Sequence, residues 1–174
     1  MQRTVVLASV LFAHMALADP LHEIAAGAFQ HEESSWIFPQ QVADFTRVGS
    51  PQTLDGSSDV SAYYELALNG ARILAAVNVY AAGSSLAPAL PTASAGTTAR
   101  FEVGRSRRLA GIKAVQAAGH TVAYIVDTGP WLIGIQASVE EDTRAMERLD
   151  AFVRQQAWDS LALSNETCTG PACT

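Results

Sequence analysis

Residues 59–81 read DVSAYYELALNGARILAAVNVYA, and this stretch decides the fold class. Val60, Ala62, Tyr64, Leu66 and Leu68 alternate with Ser61, Tyr63, Glu65 and Ala67. A side-chain period of two is that of a strand with one buried face. Asn69-Gly70 follows, the pair preferred in a type I′ turn because both positions need positive φ. Ile73, Ala75, Val77 and Val79 then alternate with Leu74, Ala76, Asn78 and Tyr80. Asp59 to Ala81 is therefore expected to be a β-hairpin.

The chain on either side extends this reading. A second hairpin is expected where Val122, Tyr124 and Val126 alternate, Asp127-Thr128-Gly129-Pro130 turns, and Trp131, Ile133, Ile135 and Ala137 alternate again. Ser34–Phe38 and Val42–Val48 read as short strands, the first ended by Pro39. Residues 82–98, rich in Gly, Ser, Pro, Ala and Thr, read as a loop. Residues 100–118 are ambiguous, because Leu109, Ile112 and Val115 have helix-like spacing while Gly104 and Gly111 oppose a helix. Leu109–Ala117 is assigned as strand.

Two helices are expected. Leu21, Ile24, Ala25, Ala28 and Phe29 fall at helical spacing in residues 19–33. From Val139 to Trp158, Ala145, Met146, Leu149, Phe152 and Val153 form an apolar stripe behind a Ser138/Glu141 capping box. The expected class is α+β: a single antiparallel sheet of about five to six strands, packed by a C-terminal amphipathic helix and a short N-terminal helix. Residues 34–158 form the domain, and 159–174 a polar tail.

The N-terminus has the three parts of a secretory signal peptide: basic Arg3, an apolar run from Val5 to Leu17, and Ala16-Leu17-Ala18 before Asp19. Cleavage is expected after Ala18, giving a periplasmic or extracellular protein with no transmembrane segment. Export permits a disulfide, for which Cys168 and Cys173 are the pair. The full chain carries 11 Lys+Arg, 17 Asp+Glu and a net charge of −6. That balance argues against nucleic acid, whose affinity rests on cationic contacts to phosphate.

Phe38-Pro39, Val42, Phe45 and Arg47, then Asp59-Val60-Ser61 with Tyr64, then Val79-Tyr80, resemble a group of small exported bacterial proteins of uncharacterised function. Gly129, Trp131 and Trp158 represent the late part of that pattern. The resemblance implies an exported single-domain α+β protein and carries over no catalytic residue. It also suggests a comparison with the layered sheet-and-helix fold of PsbP-like and Mog1-like proteins, by analogy only.

The chemistry-bearing candidates are few. Asp127-Thr128-Gly129 matches the aspartic-protease triplet, whose mechanism needs two carboxylates sharing a proton and hence a dimer here. The same residues are good turn formers. His22, His31 and Glu32 are weak metal candidates, since nine residues on a helix set the two imidazoles on opposite sides. Arg105, Arg107 and Arg108 form a basic cluster able to hold an anion or a solvated edge. Tyr63 and Tyr80, with Trp36 or Trp131, could line a groove. No nucleotide, zinc-protease or nucleophile-elbow motif is present, and no cofactor is expected. The function expected is a non-enzymatic binding module for an unknown protein or small ligand, with an exported hydrolase using Asp127, or a weak metal binder, as the alternatives.

Overall fold

In the computed structural model, residues 20–161 are described, apart from 56, 69, 88–95, 117–120 and 140–142. The alternation of residues 59–81 produces the hairpin it demands. Strands β6 (Val60–Leu68) and β7 (Ala71–Ala81) pair with Val60 opposite Val79, Ala62 opposite Val77 and Tyr64 opposite Ala75. Gly70 holds φ +82°, the left-handed conformation the turn requires. The second hairpin forms too, from β10 (Thr121–Asp127) and β11 (Trp131–Ser138).

The remaining strands are β1 (Leu21–Ala25), β2 (Ala28–His31), β3 (Ile37–Phe38), β4 (Gln41–Val42), β5 (Phe45–Thr53), β8 (Gly96–Val103) and β9 (Leu109–Gln116). They make two antiparallel sheets: three strands in the order β1-β2-β3, and eight in the order β4-β5-β6-β7-β11-β10-β9-β8. Two meanders thus meet at the β7–β11 pair, where Val79 faces Ile133 and Val77 faces Ile135. Register then aligns Ala62, Val77, Ile135 and Tyr124 in one row across four strands. These rows build the buried face of the large sheet.

Helix α1 (Thr143–Arg154) lies on that face and buries Ala145, Leu149, Phe152 and Val153. The Phe152 ring sits 4.5 Å from Phe45 and 5.1 Å from Tyr64 between centroids. Beyond the helix a 3-10 turn, Trp158–Ser160, brings Trp158 to 5.0 Å from Trp36. Packing continues to Leu161, which is buried.

The fold class expected from the sequence is corrected. The protein is mostly β, with eleven strands in two sheets and one α-helix among the described residues, not one five- or six-stranded sheet with two helices. Within the stretch expected to be the N-terminal helix, Leu21–Ala25 and Ala28–His31 are strands. Gly27 takes φ +73°, which stops a right-handed helix, and its N–H is accepted by the Glu23 carboxylate in the turn between β1 and β2. β8 starts inside the stretch read as loop. It is an edge strand with Thr97 to Arg100 exposed, so no buried face imposes an alternating pattern on it. Helix α1 begins later than expected: Ser138 ends β11 in place of capping the helix, while Glu141 falls outside the described residues. The leader and the Cys168–Cys173 pair also lie outside them. Among the described residues, no helix is long and apolar enough to cross a membrane.

Arg47 joins the two sheets. It is 5% exposed and forms no ion pair with a carboxylate among the described residues. Its guanidinium donates to Phe38 O at 2.5 Å, Gly27 O at 2.8 Å, Gly49 O at 3.0 Å and Gln40 Oε1 at 3.2 Å, and it stacks 4.8 Å over the Phe29 ring. A buried polar acceptor stripped of its donor costs about 1–3 kcal/mol. Arg47→Leu should therefore lower the unfolding free energy by about 3 kcal/mol or more in urea titrations. Arg47→Lys should recover less than half of that, because one ammonium cannot reach four diverging acceptors. A loss under about 0.5 kcal/mol for Arg47→Leu would remove the clamp from this account.

Candidate functional site

The alternation that buries Val60, Ala62, Tyr64 and Leu66 sends their neighbours to the second face of the large sheet. Two rows there are set by register. Val48, Tyr63, Ala76 and Gln136 form one, and Thr46, Glu65, Leu74 and Ser138 the other. Val48 is 47% exposed, Tyr63 55% and Leu74 51%, although all three sit on regular strands. An Arg72–Glu65 ion pair at 3.7 Å flanks them. Farther along the same face the sheet closes: Ser61, Tyr80 and Ile125 are buried, and the Tyr80 ring packs against Gly134. Burial, with the nearby Asp59 and Tyr63, raises the Tyr80 hydroxyl pKa, so Tyr80 remains a neutral phenol. The accessible part is thus a patch of large apolar side chains interspersed with Thr, Gln and Ser.

The four proposed aromatics do not share a groove. Tyr63 stands on this patch, and Tyr80 lies buried on the same face, set apart by the Ser61–Asn78 pair. Trp36 and Trp131 are in the core on the other side, against Trp158 and His31. Val48 and Leu74 were not among the sequence candidates. Their signal was present, since both are large apolar residues out of phase with their strands' buried positions.

His31 is fully buried. Its Nδ1 lies 2.7 Å from Ser34 Oγ, and the Ser34 N–H points to the same nitrogen at 3.4 Å. Two donors on Nδ1 leave the proton on Nε2, which is buried without a hydrogen-bond partner. The ring meets Trp131 edge-on at 5.3 Å. A Ser–His pair within hydrogen-bond reach is also the geometry of an activated nucleophile. Here both residues are 0% exposed, and Ser34 Oγ already accepts the Trp36 N–H at 3.1 Å, so the pair locks the turn between β2 and β3. His22 is exposed and pairs with Gln30, one register step from the Leu21–His31 pair, which puts the two imidazoles on opposite faces of the β1–β2 hairpin. Glu32 is exposed in the turn. Among the described residues no group of three or more His, Cys, Asp or Glu side chains is placed to hold a metal ion.

The other polar candidates are also engaged by the fold. Asp127 Oδ1 accepts the Gly129 N–H at 2.8 Å, and the Thr128 N–H and hydroxyl both donate to Trp131 O, which makes Asp127-Thr128-Gly129 a closed turn. Arg105, Arg107 and Arg108 are exposed at the β8–β9 tip, where Arg108 meets Glu102 at 3.5 Å. The tip backbone wraps Asp159, whose carboxylate accepts the N–H groups of Arg105 and Ser106. Those backbone hydrogen bonds hold Asp159 below the ordinary carboxylate range. Gly104, at φ +87°, makes the wrap possible, since a Cβ there would lie 2.1 Å from Arg107 O. Lys113 reaches Asp150 on α1 at 2.7 Å and lies 5.1 Å over the Tyr124 ring, while Tyr124 donates its hydroxyl to the same carboxylate. Burial, then the bond to Asp150, raises the Tyr124 pKa far above its usual value.

The residues behind the resemblance have structural work as well. Phe38 O and Pro39 O accept from Arg47 and the Tyr64 hydroxyl. Asp59 is buried, accepts the Ala81 N–H at 2.8 Å and the Ser84 hydroxyl, and walls a cleft of about 460 Å³ with Asp55, Ser57 and Leu86. The chain matches no protein-family model, no curated protein and no solved structure.

Burial of His31 disfavours its charged form and lowers its pKa from 6.5, against the opposing pull of Glu33, Asp59 and Glu32. The unfolded chain then binds a proton that the folded chain refuses. His31 contributes no pH dependence above pH 6.5; its share of the stability falls as pH drops below that value and levels off below the folded pKa. Thermal melts between about pH 7 and about pH 5 should show a falling Tm for the native protein and a shallower fall for His31→Phe. Equal slopes would dissociate His31 from the acid response.

Proposed function

We propose that this chain is an exported, non-enzymatic binding module that holds an apolar segment of a partner on the Val48, Tyr63 and Leu74 patch. The observation that carries this reading is that three large apolar side chains are about half exposed in adjacent register on β5, β6 and β7. Exposed apolar patches rimmed by polar groups mark interaction sites in soluble proteins. Tyr63 supplies a flat apolar ring with a polar tip, the kind of side chain that dominates binding energetics. Export is supported by the Arg3, Val5–Leu17 and Ala16-Leu17-Ala18 leader pattern. The binding reading is favoured over hydrolysis because Asp127 Oδ1, His31 Nδ1 and Ser34 Oγ are held in local turns, and His31 and Ser34 are fully buried.

Selection from a random peptide library against the folded protein tests the proposal. Enriched peptides should carry aromatic or aliphatic anchors. Tyr63→Ala should weaken them by about 2 kcal/mol, and Leu74→Arg comparably, with Tm unchanged because both side chains face solvent. Enriched peptides that bind the Tyr63→Ala, Leu74→Arg double variant as well as the native protein would place recognition elsewhere. No enrichment at all would end the binding reading of this patch.

A further inference from the structure

The two edges of the eight-stranded sheet are treated differently. At the β4–β5 edge the chain carries several of the backbone devices that block strand addition. β4 has two residues, β5 is irregular between Val48 and Gln52, Gly49 takes φ +74°, and Pro51 removes a donor. The β8 edge has none of these. β8 runs eight residues, Gly96–Val103, lies last in the strand order, and pairs with β9 along its whole length without a register shift. It contains no proline, and Thr97, Thr98, Ala99, Arg100 and Glu102 are exposed.

We infer that β8 is the site of self-association, pairing antiparallel with β8 of a second copy about a two-fold axis at Phe101. Antiparallel pairing about a two-fold requires opposed residues to lie on the same sheet face, which leaves three central registers. Centred on Arg100, the strand sets Arg100 against its own copy, a like-charge pair that destabilises. Centred on Ala99, it sets Arg100 against Thr98 and gains no charge pairing. Centred on Phe101, Arg100 of each copy faces Glu102 of the other, twice, while each Phe101 ring stays over Gly111 and against Tyr124 of its own chain on the core side. Among the described residues Arg100 has no ion-pair partner within its own chain, and the Glu102–Arg108 contact is a loose, exposed one at 3.5 Å. The edge therefore offers a cation and an available carboxylate two residues apart, on a strand that has no strand beyond it among the described residues. A two-fold perpendicular to the sheet keeps both helices on one side and joins the two sheets into one of sixteen strands, with both open patches on the same surface.

Sedimentation velocity of the full protein over a concentration series tests this, with circular dichroism confirming that each variant is folded. The native protein should pass from monomer to dimer with rising concentration, and less so at high salt. Arg100→Glu and Glu102→Arg should each weaken association at least about tenfold, because two attractive pairs become two repulsive ones. The double reversal, R100E/E102R, recreates both pairs with their signs exchanged and should return to within about threefold of the native value. A protein that stays monomeric at millimolar concentration overturns the inference. So does association that neither single reversal changes, or that the double reversal does not restore.

Discussion

A buried guanidinium with no carboxylate beside it is the constraint around which this molecule closes. Arg47 sits on the covered face of the large sheet, opposite Tyr64 in register. Burial lowers its pKa, and the carbonyls of Gly27, Phe38 and Gly49 with the Gln40 amide oxygen replace the water its charge has lost. Those acceptors come from the β1–β2 turn, the end of β3, the β3–β4 connection and β5. A single side chain thus fixes where the three-stranded sheet docks. That sheet in turn carries Trp36 and Phe38 into the core and brings His31 against Trp131. β1 is largely exposed while β2 is half-buried with His31 fully covered, and an isolated two-stranded hairpin is marginal in water, so this pair depends on its docking.

The same economy runs through the other polar residues. Ser34 and His31 close one connection, Asp59 and Ser84 another, Asp159 a third, and Lys113 with Tyr124 and Asp150 ties α1 to β9 and β10. Each is a long-range or turn-closing joint, although His31 Nε2 is left without a partner. Among the described residues, the large sheet also leaves Val48, Tyr63 and Leu74 about half exposed on β5 to β7 and places β8 last in its strand order. Both features belong to regular strands, which present them in a fixed geometry.

How far the sequence could be read depended on how local the cause was. The β6–β7 and β10–β11 hairpins were legible because turn chemistry and alternation act over a few residues and agree with each other. The stripe of α1 was legible for the same reason, with Ala145, Leu149, Phe152 and Val153 all buried as expected. The N-terminal stretch misled because Leu21, Ile24, Ala25, Ala28 and Phe29 fit a helix by spacing, while the deciding residue was Gly27, whose carbonyl Arg47 holds from twenty residues away. β8 misled because an edge strand has no obligation to alternate. Of the candidate site, Tyr63 was legible and Val48 and Leu74 were not, since a large apolar residue on a polar face looks like noise until the face is known to be accessible.

By itself the sequence determined the two hairpins and the amphipathic helix, because dihedral preference and side-chain period are properties of neighbouring residues. Only the tertiary structure decided that β7 pairs with β11, that residues 21–31 become strands, that the Trp residues go inward while Tyr63 stays out, and that one sheet edge is blocked and the other left open. Those outcomes depend on contacts between residues distant along the chain. Their free energy comes from burying shared apolar surface and from pairing buried polar groups such as the Arg47 guanidinium, and neither quantity exists until the elements have met.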